Sequence, residues 1–513
     1  MRNFRKVRTS RPILLLVVAV CGLGLASFHR DGALARQAAS DEAPQNAPEL
    51  LAARERGQTP LLDDLRELCD GIGGRPTGSP ACHRAVDWAV ARFRAAGIES
   101  VWTETYTIPS SWAGGADHAE CLSPVQFPIR LAAGPFSAPT PGGEPLEAPL
   151  VNAGDGSEEA FARLGNRARG AIALVLSPEM KTEADLFAEY GRDGDMFQAA
   201  EKAGVSAVMV QSSQPGVRLY RHPMSLGGDN LPLPAAIVAR VQAARLARLA
   251  VRGQVRVRLD LPSRIGGPYQ ARNVVAEIRG RERPDEIVLI GAHLDSWDLG
   301  TGAEDNGVNA ATVIDLARSF HALGLVPRRT VRFVLFTGEE QGMLGSEAYV
   351  IRHAAEMPRH VAMVTFDTGS GHTTGFYLNG RADLRAPIDQ ALAAVPGLSA
   401  ADDSLEAIDG TDNFDFLLAG VPNLIAKQDW APYLPNYHAE TDVYEMVNAP
   451  EARNNAALAA ALIWGFAEAA GRPAPHQTHA QVEKLLQATR LDEQMKALGQ
   501  WDDWAAGKRG ADE

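Results

Sequence analysis

The chain has 513 residues, 45% of them hydrophobic and 22% charged. That is a globular composition, with length for roughly two to four domains and for a core that needs no disulfide staples. A formal net charge of −13 argues against a general nucleic-acid binder. The charge is also uneven: residues 1–36 hold seven Lys/Arg against one Asp, so the remainder is more acidic than the whole.

Arg2, Arg5, Lys6, Arg8 and Arg11 precede an apolar run from Ile13 to Phe28, and Ala33-Leu34-Ala35 follows. A basic start, a short apolar stretch and a small-x-small site describe a signal peptide over residues 1–36 or, if uncleaved, an N-terminal anchor. The run is shorter than the ~20 residues a membrane span needs. No other segment is apolar enough to span, so the expectation is an exported chain, periplasmic or secreted, with no membrane contact beyond that segment. Outside the leader, Cys69, Cys82 and Cys121 read either as one bridge plus a thiol, with Cys69 and Cys82 nearest in sequence, or as three buried thiols.

Residues 37–57, rich in Ala, Gln, Pro and Glu, read as a linker. Over 58–119, Leu61, Leu62, Leu65 and Leu68 keep helical spacing, as do Ala85, Val86, Ala89, Val90 and Phe93. Ile98 to Ile108 then alternates like a strand. Residues 120–262 change character. Short apolar strands at 171–176 and 205–210 flank a helix at 196–203, between Gly/Pro-rich breaks, which predicts an α/β or β-rich insert. Over 263–472 strand and helix alternate: strands at 287–290, 331–336, 361–366 and 421–426, with helices through Val313–Phe320, Ser346–His353 and Phe414–Leu418. That alternation predicts an α/β fold, a mostly parallel mixed sheet with helices on both faces. Residues 473–513 read as a helical C-terminal tail.

Ligands in such sheets bind beyond the carboxyl ends of the strands. Ionisable residues recur at those ends: His293 and Asp295 after the first strand, Glu339 and Glu340 after the second, Asp367 after the third, Tyr437 and His438 after the fourth. Glu304 and Asp305 lie in the Gly-rich loop between the first strand and its helix. Singly, each is an ordinary turn residue or N-cap. Together, two histidines with several carboxylates suit a divalent cation, and imidazole favours zinc. The donors are too many for one tetrahedral zinc with an open position and suit two metals sharing a bridging carboxylate. Adjacent Glu339 and Glu340 divide between proton transfer and metal binding, and Asp295 is placed to hold the second nitrogen of His293. Trp297 and Trp430 read as core or cleft-lining, and His372 as a candidate substrate contact. The sequence contains no G-x-S-x-G elbow, P-loop or H-E-x-x-H.

Gly291 to Asp298, Asp305, Thr337 to Gly342, Phe366-Asp367 and Tyr437-His438 resemble the co-catalytic zinc exopeptidases, the family of aminopeptidase and glutamate carboxypeptidase type. The likeness runs from about residue 58 to 470 and includes Gly74-Arg75-Pro76-Thr77-Gly78-Ser79 and Gly410-Thr411-Asp412. It implies a zinc exopeptidase fold of the phosphorylase/hydrolase-like type with a protease-associated-type insert that shapes or covers the cleft. It implies two Zn2+, one on His293, Asp305 and Asp367 and the other on Asp305, Glu340 and His438, with Asp305 bridging. Glu339 is then the general base that activates water, and Tyr437 is either an oxyanion donor or a packing residue. The expected substrate is a dipeptide or short peptide, and a homodimer is expected on the resemblance alone. Two features depart from the family pattern: Asn306-Gly307-Val308-Asn309 follows the bridging position, and no arginine pair marks a glutamate-type carboxylate pocket. The alternatives are an aminopeptidase of the same family, a glutaminyl cyclase-like acyltransferase, or a catalytically silent receptor-like module. The complete ligand set argues against the last two.

Overall fold

The structure is a computed structural model that describes residues 44–222 and 230–509. The leader expected at 1–36 lies outside the described residues. Among those described, no helix is long and apolar enough to cross a membrane.

The central sheet has seven strands in the order Ser100–Ile108, Tyr269–Ile278, Arg329–Phe336, Arg283–His293, His360–Thr365, Asn423–Gln428, Thr373–Tyr377. The four strands from Arg329–Phe336 through Asn423–Gln428 are mutually parallel, and the flanking pairings are antiparallel. The parallel strands are apolar nearly throughout because helices cover both faces. Alternate residues serve opposite cores: Val288, Ile290 and Ala292 pack with the Val308–Ala322 and Ala449–Glu468 helices. Leu289, Val334 and Phe336 pack with Tyr349, Val350 and Phe416 on the other side. Register places His293 opposite Phe336 and Gly291 opposite Thr365, so neighbouring strands end at one level. The residues that follow them therefore emerge at one edge.

Strands between His118 and Asp260 form a second, eight-stranded mixed sheet whose inner strands, Leu146–Asn152, Ile172–Val175, Ala207–Gln211 and Ala235–Val238, are parallel. Its two faces carry separate cores. One includes Tyr433, Leu434, Tyr437 and Ala439 from the later part of the chain, and the other includes Trp297, so the insert packs against residues that follow the central parallel strands.

Part of the stretch expected as a linker is instead a helix, Ala47–Glu55. Its Ala47, Leu51 and Ala52 are buried in the main core beside the Ala-rich Ala449–Glu468 helix, where small side chains permit close approach. The tail is helical and anchored: Trp504 is buried, stacks on His479 and donates its indole N–H to the Leu418 carbonyl. Cys69, Cys82 and Cys121 are all free and buried.

Candidate metal centre

The loop after His293 is held by residues far away in sequence. Arg75 is fully buried. Its guanidinium donates to the carbonyls of Leu294, Thr301 (2.7 Å) and Gly302 (2.9 Å), tying the strand end to the Gly-rich loop. Gly302 has φ +62°, and a Cβ there would lie 2.4 Å from the Ser296 side chain, so the turn requires glycine. Asp442 closes the loop from the other side, accepting from the Glu304 N–H (2.6 Å) and the Asp305 N–H (3.1 Å). Burial pushes the Asp442 carboxyl up to about 8. Glu304 turns away and accepts from the Ser370 N–H and hydroxyl.

This scaffold presents Asp305 between two histidines. Its Oδ1 lies 3.2 Å from His293 Nε2 and its Oδ2 lies 3.2 Å from His438 Nε2. Asp367 Oδ1 is 2.9 Å from His293 Nε2, and Glu340 Oε2 is 3.0 Å from His438 Nε2. His293, Asp305 and Asp367 form one buried group, and Asp305, Glu340 and His438 form a second that shares Asp305. Glu339 is less buried, with its Oε2 3.8 Å from His293 Nε2. The opening beside the second group is lined by Trp297, Gly300, Gly302 and Ala439.

The donor chemistry fits a divalent cation in each group. His293 Nδ1 faces the Asp295 main-chain carbonyl at 3.1 Å, and His438 Nδ1 faces the Arg221 carbonyl at 2.8 Å. Each Nδ1 must donate there, which leaves a bare lone pair on each Nε2, aimed at carboxylate oxygens. Lone pairs facing lone pairs at 2.9–3.2 Å call for a cation between them. Asp305 Oδ2 and Glu340 Oε1 are buried and make no hydrogen bond of proper geometry, as expected of atoms meant for an ion. With protons as the only cations, burial would depress the His438 imidazole, but Glu340 and Asp305 carry it up to about 10. Burial raises Asp367 to about 6 against the pull of His293. Burial also holds Glu339 well above the carboxylate range, again opposed by His293. Asp305 goes the other way: the two histidines overcome the effect of burial and hold it low.

Asp295 differs from expectation in detail. Its main-chain carbonyl, not its carboxylate, meets His293 Nδ1, since the nearer carboxylate oxygen is 3.7 Å away. The carboxylate instead accepts from the Thr77 hydroxyl and from the Gly338 N–H (2.9 Å), fixing the turn that carries Glu339 and Glu340. Tyr437 stacks on His438 with ring centroids 3.7 Å apart, and its hydroxyl is hydrogen-bonded to that of Tyr190. Trp297 lies against the His438 ring edge-on. His372 is exposed and paired with Glu451. The departure at Asn306 and Asn309 is absorbed by amide chemistry. Asn306 Nδ2 donates to Asp367 Oδ1 (2.8 Å), and Asn309 Nδ2 donates to Asn306 Oδ1 (2.7 Å). Arg75, Asp442 and Tyr190 were missed as site residues, although Arg75 lies within a motif that carries the resemblance. Asp412 was missed in the same way, a buried carboxylate held well above its usual range first by burial and then by Asp367, against the pull of His293.

A parallel-centred α/β sheet with two joined His/carboxylate groups at its strand ends defines a metal-dependent hydrolase. Comparison with known proteins makes this specific. Residues 273–463 match the model of peptidase family M28. Carboxypeptidase Q of Mus musculus is 28% identical over 424 residues, covering 80% of this chain and 86% of that one. Among solved structures, a peptidase M28 precursor from Shewanella amazonensis SB2B superposes with a TM-score of 0.74 at 28% identity, covering 85% of this chain and all of that one. BSAP, a zinc aminopeptidase from Bacillus subtilis, shares the fold with a TM-score of 0.64 at 22% identity, covering 85% and 98%. The chain resembles peptidase family M28 over residues 273–463 and is a zinc-dependent peptidase.

Proposed function

We propose that this chain is an exported di-zinc exopeptidase that hydrolyses dipeptides or short peptides with Glu339 as general base. The observation that carries the proposal is the position of Asp305, with one oxygen 3.2 Å from each histidine Nε2. One carboxylate facing two imidazoles is the arrangement of a bridging ligand. His293, Asp305 and Asp367 would hold one zinc, and Asp305, Glu340 and His438 the other. Zinc held there supplies the positive charge that acidifies water and polarises the scissile carbonyl.

The chain's own residues account for the rest. Glu339 removes a proton as the water oxygen bonds to the carbonyl carbon, and returns it to the amine as the C–N bond breaks. Its carboxylate is placed for this beside the first group, with Oε2 3.8 Å from His293 Nε2. The Tyr437 hydroxyl donates to the oxyanion. Asp295 fixes the Glu339 turn through the Gly338 N–H, and holds His293 in one tautomer through its carbonyl. The insert acts as a protease-associated-type cover of the cleft. The leader pattern over residues 1–36 supports action outside the cytoplasm.

Zinc analysis of active enzyme, combined with a panel of free and N-acetylated dipeptides, tests the proposal. Two zinc ions per chain and zinc-dependent release of free amino acids are expected, and the blocked substrates separate aminopeptidase or dipeptidase from carboxypeptidase action. Full activity with one ion or none per chain would overturn it.

A further inference from the structure

The insert reaches Tyr437 and His438 at two points. The first is backbone. Tyr220 pairs with Ala439 as a β-bridge, the Arg221 N–H donates to the His438 carbonyl (2.9 Å), and the Arg221 carbonyl accepts from His438 Nδ1 (2.8 Å). The second is a side chain. Tyr190, on the insert helix Glu183–Ala203, is half-buried, and its hydroxyl is hydrogen-bonded to that of Tyr437. The Tyr190 ring rests on His222, with centroids 4.4 Å apart, and His222 Nε2 lies 3.3 Å from Asp193 on the same helix. One helical turn and the segment that follows the Tyr220 bridge thus hold Tyr190 in place.

We propose that Tyr190 is a positioning residue for Tyr437, and that the insert fixes the Tyr437–His438 pair rather than merely covering the cleft. The inference rests on the peptidase reading above. A phenol hydroxyl has one proton and rotates freely about its C–O bond. For Tyr437 to donate to a developing oxyanion, that proton must point to the substrate, so a second group must occupy the oxygen's acceptor side. Of the two directions open to this hydroxyl pair, the proposal takes the one in which Tyr190 donates to the Tyr437 oxygen. Its benefit appears only where negative charge develops, so it raises kcat and leaves ground-state binding nearly unchanged.

A double-substitution cycle in the full-length, zinc-loaded enzyme tests the proposal, with kcat, KM, Tm and zinc content measured on one dipeptide. Tyr190→Phe keeps the ring on His222 and is expected to lower kcat about tenfold with KM within about twofold and with unchanged Tm and zinc content. Tyr437→Phe is expected to lower kcat by about a hundredfold. The double variant should match Tyr437→Phe alone, because a group that acts through Tyr437 has nothing left to position. Wild-type kcat in Y190F, or additive losses in the double variant, would overturn the positioning role while leaving the peptidase reading intact. A Y190F protein that loses zinc or several degrees of Tm would also overturn it, by assigning Tyr190 a structural role. Zinc-loaded wild type that hydrolyses no peptide would remove both readings.

Discussion

Replacing Arg75 by Lys keeps the positive charge and removes the fork. In the native fold the guanidinium serves three main-chain carbonyls, those of Leu294, Thr301 and Gly302, in a fully buried position. A lysine ammonium reaches one of them well, which leaves two buried acceptors without a charged donor. Hydrogen bonds to a charged group contribute about 1.5–3 kcal/mol each, and losses within one network add incompletely. The expected destabilisation is therefore about 2–4 kcal/mol. The Gly300–Gly302 loop leads directly into Asp305, so zinc affinity should also fall, by about 10–100-fold, as when other groups that orient metal ligands are lost. Urea unfolding of the zinc-free protein at constant m gives the first quantity, and competition against a chromogenic chelator gives the second. A midpoint and a zinc affinity both equal to wild type would refute the claim that Arg75 holds the metal loop.

Gly302→Ala should cost about 2–4 kcal/mol, because a side chain at φ +62° is strained and its Cβ would meet Ser296 and Arg75. Gly324→Ala is the control: φ is +64°, but nothing lies within 4 Å, so about 1–2 kcal/mol of backbone strain alone is expected, and equal effects at both sites would contradict the packing argument. Burial, reinforced by Arg332, holds the His360 imidazole down to about 3, so it stays neutral in the fold while it protonates near 6.5 in the unfolded chain. Its contribution to stability is therefore complete above pH 6.5 and is lost as pH falls towards 3, by at most about 5 kcal/mol. His360→Gln should flatten denaturant midpoints across that window, and an unchanged acid slope would exclude His360 as its source.

What could be read in advance divides along physical lines. The four parallel strands are covered on both faces, so they appear as uninterrupted apolar runs such as Ile287–Ile290 and Val331–Phe336. The Tyr269–Ile278 strand escapes notice because Gln270, Arg272, Asn273 and Glu277 dilute its pattern, and the edge strand Thr373–Tyr377 is short and contains Gly375. Site candidates could be named because parallel strands deliver their last residues to one edge, so His293, Glu340 and Asp367 stand out as a recurring set, while His438, ten residues past its strand, and the division into ligands came from the resemblance. Arg75, Asp442 and Tyr190 act through contacts that span more than a hundred residues of chain, and no local pattern encodes those. The role of Asp295 shows the same limit at close range. A sequence displays the carboxylate, but the group that meets His293 is the main-chain carbonyl, which every residue carries.

The most direct test of the account is the kcat of Glu339→Gln on an unblocked dipeptide, measured beside the zinc content of the same sample. Glutamine keeps the size and polarity of the side chain but cannot carry the proton from water to amine. The account predicts wild-type zinc content with kcat reduced by about 10²–10⁴-fold. Wild-type-like turnover in fully loaded Glu339→Gln would contradict it.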